Sequence, residues 1–218
     1  MSLQSYPARK GRKQSNISRI VASAAVLIVL AAMALDTKVI RVGSSDDVKA
    51  GVFSAADYGA TEFPKVKAGV EERAVDAATL AAAIAADRPA AEKTYGVSAG
   101  TGPVMSVKLT GVFGEAKSGI YNVMVEGIPD TVRVRVQTGP AINGTELRDA
   151  TGTIAFGQFT NQIEYQDAGS ALNNQLKKDV LAQIDTSQLT GKTVSLTGAF
   201  KLINPKNWLI TPVRLDVQ

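Results

Sequence analysis

Three short polar segments in the second half of the chain carry the side chains most suited to binding a small molecule. They are residues 139–145 with the Arg148-Asp149 pair, residues 161–167, and residues 204–208. Their amides and charged groups can donate and accept hydrogen bonds, and Trp208 offers an aromatic face to a sugar-like ring. The candidate ligand-binding residues are Asn143, Arg148, Asp149, Asn161, Gln162, Glu164 and Trp208.

A structural interpretation of the same segments, as turns and structural hydrogen bonds, is also open at this point. Asn and Gly tolerate left-handed backbone and are typical of turns. Arg148 can pair with Asp149 or with Glu164 and so fasten two strands together. The residue types alone do not choose between a ligand site and these structural hydrogen bonds.

The residue types present give little support to catalysis. The chain has no cysteine and no histidine, which excludes disulfides, thiolate chemistry and the commonest general base. Glu164 with Asp149 or Asp167 is the carboxylate set that could hydrolyse a glycoside, and no phosphate-binding glycine-rich motif is present. We therefore predict a non-enzymatic protein with no cofactor and no metal ion, and keep a carboxylate-dependent hydrolase as the enzymatic alternative.

The net charge of +4 is concentrated at the N-terminus. Five of the 24 basic residues lie in the first nineteen positions, which leaves 19 basic against 20 acidic residues in the remainder. A nearly neutral body with 6% aromatic residues does not match the basic, aromatic-rich groove that binds single-stranded nucleic acid. We predict that nucleic acid is not a partner.

A basic leader followed by an apolar run predicts export from the cytoplasm. Residues 20–35 carry no charge and follow five cations, the pattern of a secretion signal. Ala32-Met33-Ala34 is a candidate cleavage site, so the protein is released after Ala34 or stays anchored in the inner membrane through residues 20–35. Either way we predict a periplasmic location, and the absence of cysteine excludes a lipid anchor.

The segment after the leader is predicted to contain one helix. Residues 37–42 suggest a short strand, and residues 43–47 a polar turn. Residues 70–87 are rich in alanine, with an apolar stripe, acidic residues at the start and Pro89 as the stop signal. Residues 90–102 are expected to be a loop.

Beyond Pro103 the hydrophobic period changes to two, which indicates half-buried strands. A helix over 168–184, capped by Asp167, interrupts the series, and Pro212 implies a bulge or an edge position in the last strand. Strands are predicted at 105–110, 121–125, 132–137, 153–159, 162–166, 192–200 and 208–217.

From Thr131 the predicted order is three strands, a helix and two strands. This order predicts a mainly β (α+β) fold, an OB-like, partly open Greek-key barrel with its helix between strands three and four. An unrelated sandwich is the rival. The predicted domains are a signal peptide or signal anchor at 1–35, an N-terminal segment at 36–102 and an OB-like barrel at 103–218.

The second half of the chain resembles an uncharacterised bacterial family of predicted periplasmic lipoproteins. Residues 137–150 read QTGPAINGTELRDA, residues 156–165 read FGQFTNQIEY and residues 204–208 read NPKNW. The resemblance implies a role beside carbohydrate ABC transporters but assigns no functional residue. The chain departs from the family in lacking the lipid-accepting cysteine, near whose expected place Asp36 stands.

Together, these observations predict an exported accessory protein of a carbohydrate ABC transporter. It would contact the transporter or a periplasmic binding protein, or hold a small polar ligand. The alternative is a structural interaction module of the cell envelope that binds no ligand.

Overall fold

The computed structural model describes residues 16–36 and 53–218, which belong to two compact units, 1–52 and 53–218. In the first unit, helix α1 (Asn16–Asp36) contains the apolar run 20–35. Among the described residues, no helix combines the length and apolar character that crossing a bilayer requires. The predicted strand at 37–42 and turn at 43–47 lie outside the described residues.

The second unit combines short helices with one sheet. The helices are α2 (Ala55–Arg73), α3 (Ala77–Ala86), α4 (Arg88–Tyr95), α5 (Glu146–Asp149) and α6 (Gln162–Leu176), with a 3-10 turn at Phe156–Gln158 and a π-helical turn at Lys177–Leu181. The strands are β1 (Val75–Asp76), β2 (Gly96–Val97), β3 (Val104–Lys117), β4 (Ile120–Val125), β5 (Arg133–Gln137), β6 (Thr193–Lys201) and β7 (Asn207–Val217).

Five of these strands pair in a closed cycle, which we call the strand ring. β3 pairs with β4, β4 with β5, β5 with β7, β7 with β6, and β6 with β3 again. The β5–β7 pair is parallel and the others are antiparallel. Helix α6 enters between the third and fourth strands of the ring, as the OB-type prediction requires.

Alternating burial explains why these segments are strands. Tyr121 and Val123 on β4, and Val134 and Val136 on β5, are buried, while the residues between them are more exposed. The predicted turn at 117–119 is a tight hairpin in which Ser118 and Gly119 both have positive φ, as a two-residue type I′ loop requires.

The prediction for Pro212 is resolved in favour of a bulge. β7 lies between β5 and β6 and is therefore not an edge strand. The β6–β7 register shifts between Thr197 and Gly198, where Gly198 faces Pro212. A bulge accommodates the missing amide donor of proline without leaving a gap in the ladder.

The single helix predicted over 70–87 is wrong. Val70 belongs to the end of α2, and α3 starts afresh because Asp76 accepts hydrogen bonds from the amides of Ala78 and Thr79. Pro89 lies in the first turn of α4 rather than ending a helix, a position where its missing N–H costs nothing. The loop expected over 90–102 is therefore helical as far as Tyr95.

The strands predicted at 153–159 and 162–166 are also wrong. Asn161 accepts hydrogen bonds from the amides of Ile163 and Glu164, so α6 starts at Gln162, six residues before the predicted start at 168. The three strands that precede α6 are instead β3, β4 and β5. The expected order of three strands, a helix and two strands is thus present, but the segments 153–159 and 162–166 are not among its strands.

Helices α2 and α6 pack closely through a glycine. A Cβ atom on Gly59 would lie 2.7 Å from the backbone oxygen of Ala171. Phe63 and Val70 of α2 and Leu172 of α6 are buried in the same core as Trp208 of β7. The helical layer and the strand ring therefore share one hydrophobic core.

The substitution Gly59→Ala is expected to lower the free energy of unfolding by about 1–3 kcal/mol, because two backbones must move apart. Urea denaturation would measure this change. Gly157→Ala is the matched control, since no atom lies within 4 Å of its added Cβ, and it should change stability by less than about 0.5 kcal/mol. Equal effects of the two substitutions would contradict the close approach of α2 and α6.

Candidate functional site

A buried ion pair lies at the centre of the predicted polar region. Arg148 and Asp149 are 8% and 9% exposed. Arg148 Nε donates to Asp149 Oδ1 at 2.8 Å, and Arg148 Nη2 donates to Asp149 Oδ2 at 3.3 Å. This bidentate geometry confirms the pairing with Asp149 and excludes the alternative pairing with Glu164.

Two further side chains complete the coordination of the Asp149 carboxylate. Thr145 Oγ1 donates to Oδ2 at 2.8 Å, and Lys201 Nζ from β6 lies 3.5 Å from the same oxygen. Lys201 Nζ also donates to Thr145 Oγ1 at 3.3 Å. We call Thr145, Arg148, Asp149 and Lys201 the Arg148 cluster. It joins α5 to the strand ring.

The other side of Arg148 contacts helix α6. Its Nη1 donates to the backbone oxygen of Tyr165 at 3.2 Å, and its guanidinium carbon lies 3.7 Å from the centre of the Tyr165 ring. This is a cation–π geometry. Each of the three nitrogen atoms of the guanidinium therefore donates to a protein oxygen, and its plane also lies against the Tyr165 ring.

Glu146 borders the cluster, and the pKa of its carboxyl group is shifted from the ordinary value. Burial raises the pKa of its carboxyl above the ordinary value of 4.5, and the nearby charge of Lys201 opposes this rise. Asp149 adds a smaller repulsion that raises it further. The folded state therefore disfavours the charged form of Glu146 relative to water.

The loop before α5 is fastened by amide side chains. Gln137 accepts a hydrogen bond from the backbone N–H of Asn143 and donates to its backbone oxygen, both at 3.1 Å. Gln137 also donates to Thr211 Oγ1 at 2.8 Å, and Asn173 Nδ2 donates to the oxygen of Gly144 at 3.0 Å. Asn143 thus contributes backbone groups to a structural link.

The remaining predicted site residues do not join this cluster. Asn161 caps α6, Glu164 accepts a hydrogen bond from the amide of Thr160, and Gln162 is exposed. Trp208 is fully buried, stacks on Phe200 at 4.7 Å and donates through Nε1 to the oxygen of Pro205. Its ring is covered by protein, so the expected stacking of a ligand on Trp208 is wrong.

Sequence reasoning missed an aromatic surface cluster that lies next to the Arg148 cluster. Its rings contact one another with centroid separations of 5.3–5.8 Å, and Phe156 is 50% exposed. Its residues are Phe53, Tyr58, Phe156, Phe159 and Tyr165. No periodic signal in the sequence joins these positions, because three separate segments supply them.

Tyr58 links this aromatic cluster to a groove. Burial, with smaller effects of Glu62 and Tyr165, raises the pKa of its phenol to about 12, so the hydroxyl stays protonated, while Arg148 opposes the rise. The groove, of about 520 Å³, runs between α2 and residues 151–158. We call it the α2 groove; its lining includes Tyr58, Glu62, Lys65, Glu72, Arg73, Thr151, Thr153 and Gln158.

Hydrogen bonds fix the wall of the α2 groove opposite the helix. Gln158 accepts from the amide of Ala155 at 3.2 Å and donates to the oxygen of Thr153 at 3.1 Å. The hydroxyls of Thr151 and Thr153 are 2.7 Å apart. Among the described residues, no group of three or more acidic side chains is arranged to hold a metal ion.

Asp149→Ala should lower the free energy of unfolding by about 3–5 kcal/mol, because it leaves the buried Arg148 guanidinium without its paired carboxylate and removes the ion pair to Lys201. Chemical denaturation would measure the loss. The exposed Arg214–Asp216 pair, whose side chains are 61% and 55% exposed, supplies the control. Asp216→Ala should cost less than about 1 kcal/mol, and a similarly small cost for Asp149→Ala would contradict a buried ionic link.

Glu146→Gln should make the protein more stable at pH 7, because it removes a carboxylate whose charged form the fold disfavours. The raised pKa means that the folded state binds more protons, so Glu146 makes stability fall as the pH rises above 4.5 towards the raised pKa. Urea titrations at several pH values should show that this part of the decline is absent from the variant. An unchanged pH dependence would refute the assignment to Glu146.

Comparisons with known proteins agree with the OB-type prediction. The chain is similar to a solved crystal structure described as an OB-fold protein from Thermotoga maritima, with 19% identity and a TM-score of 0.60. The match covers 76% of this chain and 99% of the other. At this identity the similarity establishes the fold. No curated protein matches the chain.

The family comparison concerns almost the whole chain. Residues 24–216 match the model of a family described as "Predicted periplasmic lipoprotein (DUF2291)". The sequence has no cysteine to carry a thioether-linked lipid, so it departs from the lipoprotein part of that description. With a match of this extent, the chain belongs to the DUF2291 family of predicted periplasmic lipoproteins.

Proposed function

We propose that the protein is a non-enzymatic periplasmic accessory of a carbohydrate ABC transporter and holds a neutral, sugar-like ligand in the α2 groove. Family membership supports the periplasmic location, and the absence of histidine and cysteine supports a binding role. The proposal requires export and applies to both forms, anchored through residues 20–35 or released after Ala34. Its partners would be transporter components or a periplasmic binding protein.

The composition of the α2 groove is the observation that carries this proposal. Carboxylates of Glu62 and Glu72 and cations of Lys65 and Arg73 line the same space, so the charges balance. Lys65 Nζ lies 2.7 Å from Glu62 Oε1. A groove with balanced charge, closely spaced donors and acceptors, and an aromatic ring at its edge suits a neutral ligand with many hydroxyl groups.

Size and rigidity support the same conclusion. The volume of about 520 Å³ falls within the range of roughly 300–1,000 Å³ found for small-molecule pockets. Buried Val66 and Ile154 contribute apolar surface to the groove. Gln158, Thr151 and Thr153 are already held by hydrogen bonds. Binding a ligand would therefore cost little free energy for ordering these side chains.

A structural envelope module without a ligand is the second candidate. It is favoured by the hydrogen bonding of the Arg148 cluster, whose polar groups bind one another. In the described part of the chain, no buried side-chain nitrogen or oxygen lacks a hydrogen-bond partner. Such a protein would bind other envelope proteins and leave the α2 groove empty. In that case Arg148 and Glu164 would affect only stability.

The sugar-binding proposal predicts a saturable rise in melting temperature when the full chain is titrated with D-glucose, D-galactose, D-ribose or maltose. Thr153→Lys should abolish this shift, because a long charged side chain would fill the groove from its exposed wall. Differential scanning fluorimetry would measure the shift. Thr101→Lys, an exposed threonine in the loop before β3, is the matched control and should bind like the original protein.

Two results would separate the candidates. If no sugar in the panel shifts the melting temperature and no purified periplasmic sugar-binding protein binds the chain, the envelope module is favoured. Loss of glycoside hydrolysis in Glu164→Gln would instead identify an enzyme. Sugar binding that survives Thr153→Lys would place the ligand outside the α2 groove and overturn the site.

A further inference from the structure

A second concave surface lies on the outer side of β4 and β5. It shares no lining residue with the α2 groove. It encloses about 440 Å³. The side chains that matter to its chemistry are Lys117, Asn122, Arg133, Arg135 and Glu115. We call it the β4–β5 surface.

The strand register brings the two arginines to the same side of the sheet. Arg133 and Arg135 are separated by one residue on β5, so their side chains leave the same face about 7 Å apart. Asn122 of β4 is the cross-strand neighbour of Arg135. An amide donor and two guanidinium groups therefore lie within the reach of one small ligand.

Arg135 is held in position by a neighbouring strand. Its Nε donates to Asn207 Oδ1 of β7 at 3.1 Å, and the residue is half-buried. Asn122 is oriented in turn by a hydrogen bond from its Nδ2 to the backbone oxygen of Glu115 at 3.4 Å. A guanidinium that is already oriented loses less freedom when it binds a ligand.

The surface is positive although the body of the protein is not. Lys117, Arg133 and Arg135 face one carboxylate, Glu115, whereas residues 20–218 carry 19 basic and 20 acidic residues. In the described part of the chain, none of these three cations forms an ion pair with a carboxylate. A concave surface with an excess of one charge concentrates ligands of the opposite charge.

We propose that the β4–β5 surface binds the anionic group of a small ligand, a phosphate or a carboxylate. Arg133 and Arg135 supply the planar donors that match either group, and Lys117 adds a charge at the hairpin end of the site. The concavity favours a small ligand over an extended flat partner. This site is independent of the α2 groove, whose charges balance.

Isothermal titration of the full chain with inorganic phosphate and, separately, with citrate tests the proposal and distinguishes the two sources of negative charge. Ionic strength is held constant with sodium chloride because salt screens exposed charges. Each of Arg133→Ala and Arg135→Ala should raise the dissociation constant about tenfold or more. Arg135→Lys should have a smaller effect, since it keeps the positive charge but loses the planar pair of N–H donors of the guanidinium.

Arg214→Ala is the matched control, an exposed arginine on β7 outside the β4–β5 surface, and it should leave both affinities within about twofold. Thr153→Lys in the α2 groove should likewise change neither. The proposal is overturned if neither anion binds saturably at concentrations up to about 10 mM, or if Arg214→Ala weakens binding as much as the β5 variants. Melting temperatures of all variants verify that each remains folded.

Discussion

The pairing of Arg148 with Asp149 is the interaction that joins helices α5 and α6 to the strand ring. Asp149 accepts hydrogen bonds from Arg148 and Thr145 and contacts Lys201 of β6, while Arg148 reaches the backbone of Tyr165 in α6. Removing two charges from water costs several kcal/mol per ion, and only complete hydrogen bonding offsets it. Here the completeness of the bonding makes the cluster a fixed link between α5, α6 and the strand ring.

The position of the α2 groove follows from this link. The Arg148 guanidinium lies on the ring of Tyr165, Tyr165 contacts Phe159, and Phe159 contacts Tyr58 of α2. Aromatic contacts of this kind add about 0.5–1.5 kcal/mol each beyond their buried area. A chain of contacts thus connects the buried charges to the helix and to the wall at 151–158 that together form the groove. Arg148, one of the predicted ligand-binding residues, thus contacts the aromatic cluster that borders the groove.

Regions of period-two hydrophobicity could be predicted from sequence because the signal is local. The hairpin at 117–119 follows from the conformational freedom of glycine, whereas at Pro212 the sequence left a bulge or an edge position open and the pairing of β7 with β5 and β6 decides for the bulge. Residues 153–166 could not be assigned in the same way. The β-like composition of residues 162–166 is overridden by the cap at Asn161, whose two hydrogen bonds start α6 early, and residues 156–158 form a 3-10 turn instead of a strand.

The site was harder to predict than the fold because its geometry depends on long-range packing. The pairing of Arg148 with Asp149 was one of two alternatives, and only the structure excludes Glu164. Trp208 has the residue type of a sugar-stacking platform, but its burial against Phe200 is decided by the β6–β7 pairing. The aromatic cluster escaped prediction because Phe53, Phe156 and Tyr165 converge from separate segments.

A double-mutant cycle on the buried pair tests the central claim most directly. The free energy of unfolding would be measured for Arg148→Met, Asp149→Ala and the double variant. A direct buried interaction predicts that Asp149→Ala costs less in the Arg148→Met background by about 1–3 kcal/mol. Costs that simply add would mean that the two residues stabilise the fold independently, and the proposed link between α5, α6 and the strand ring would be wrong.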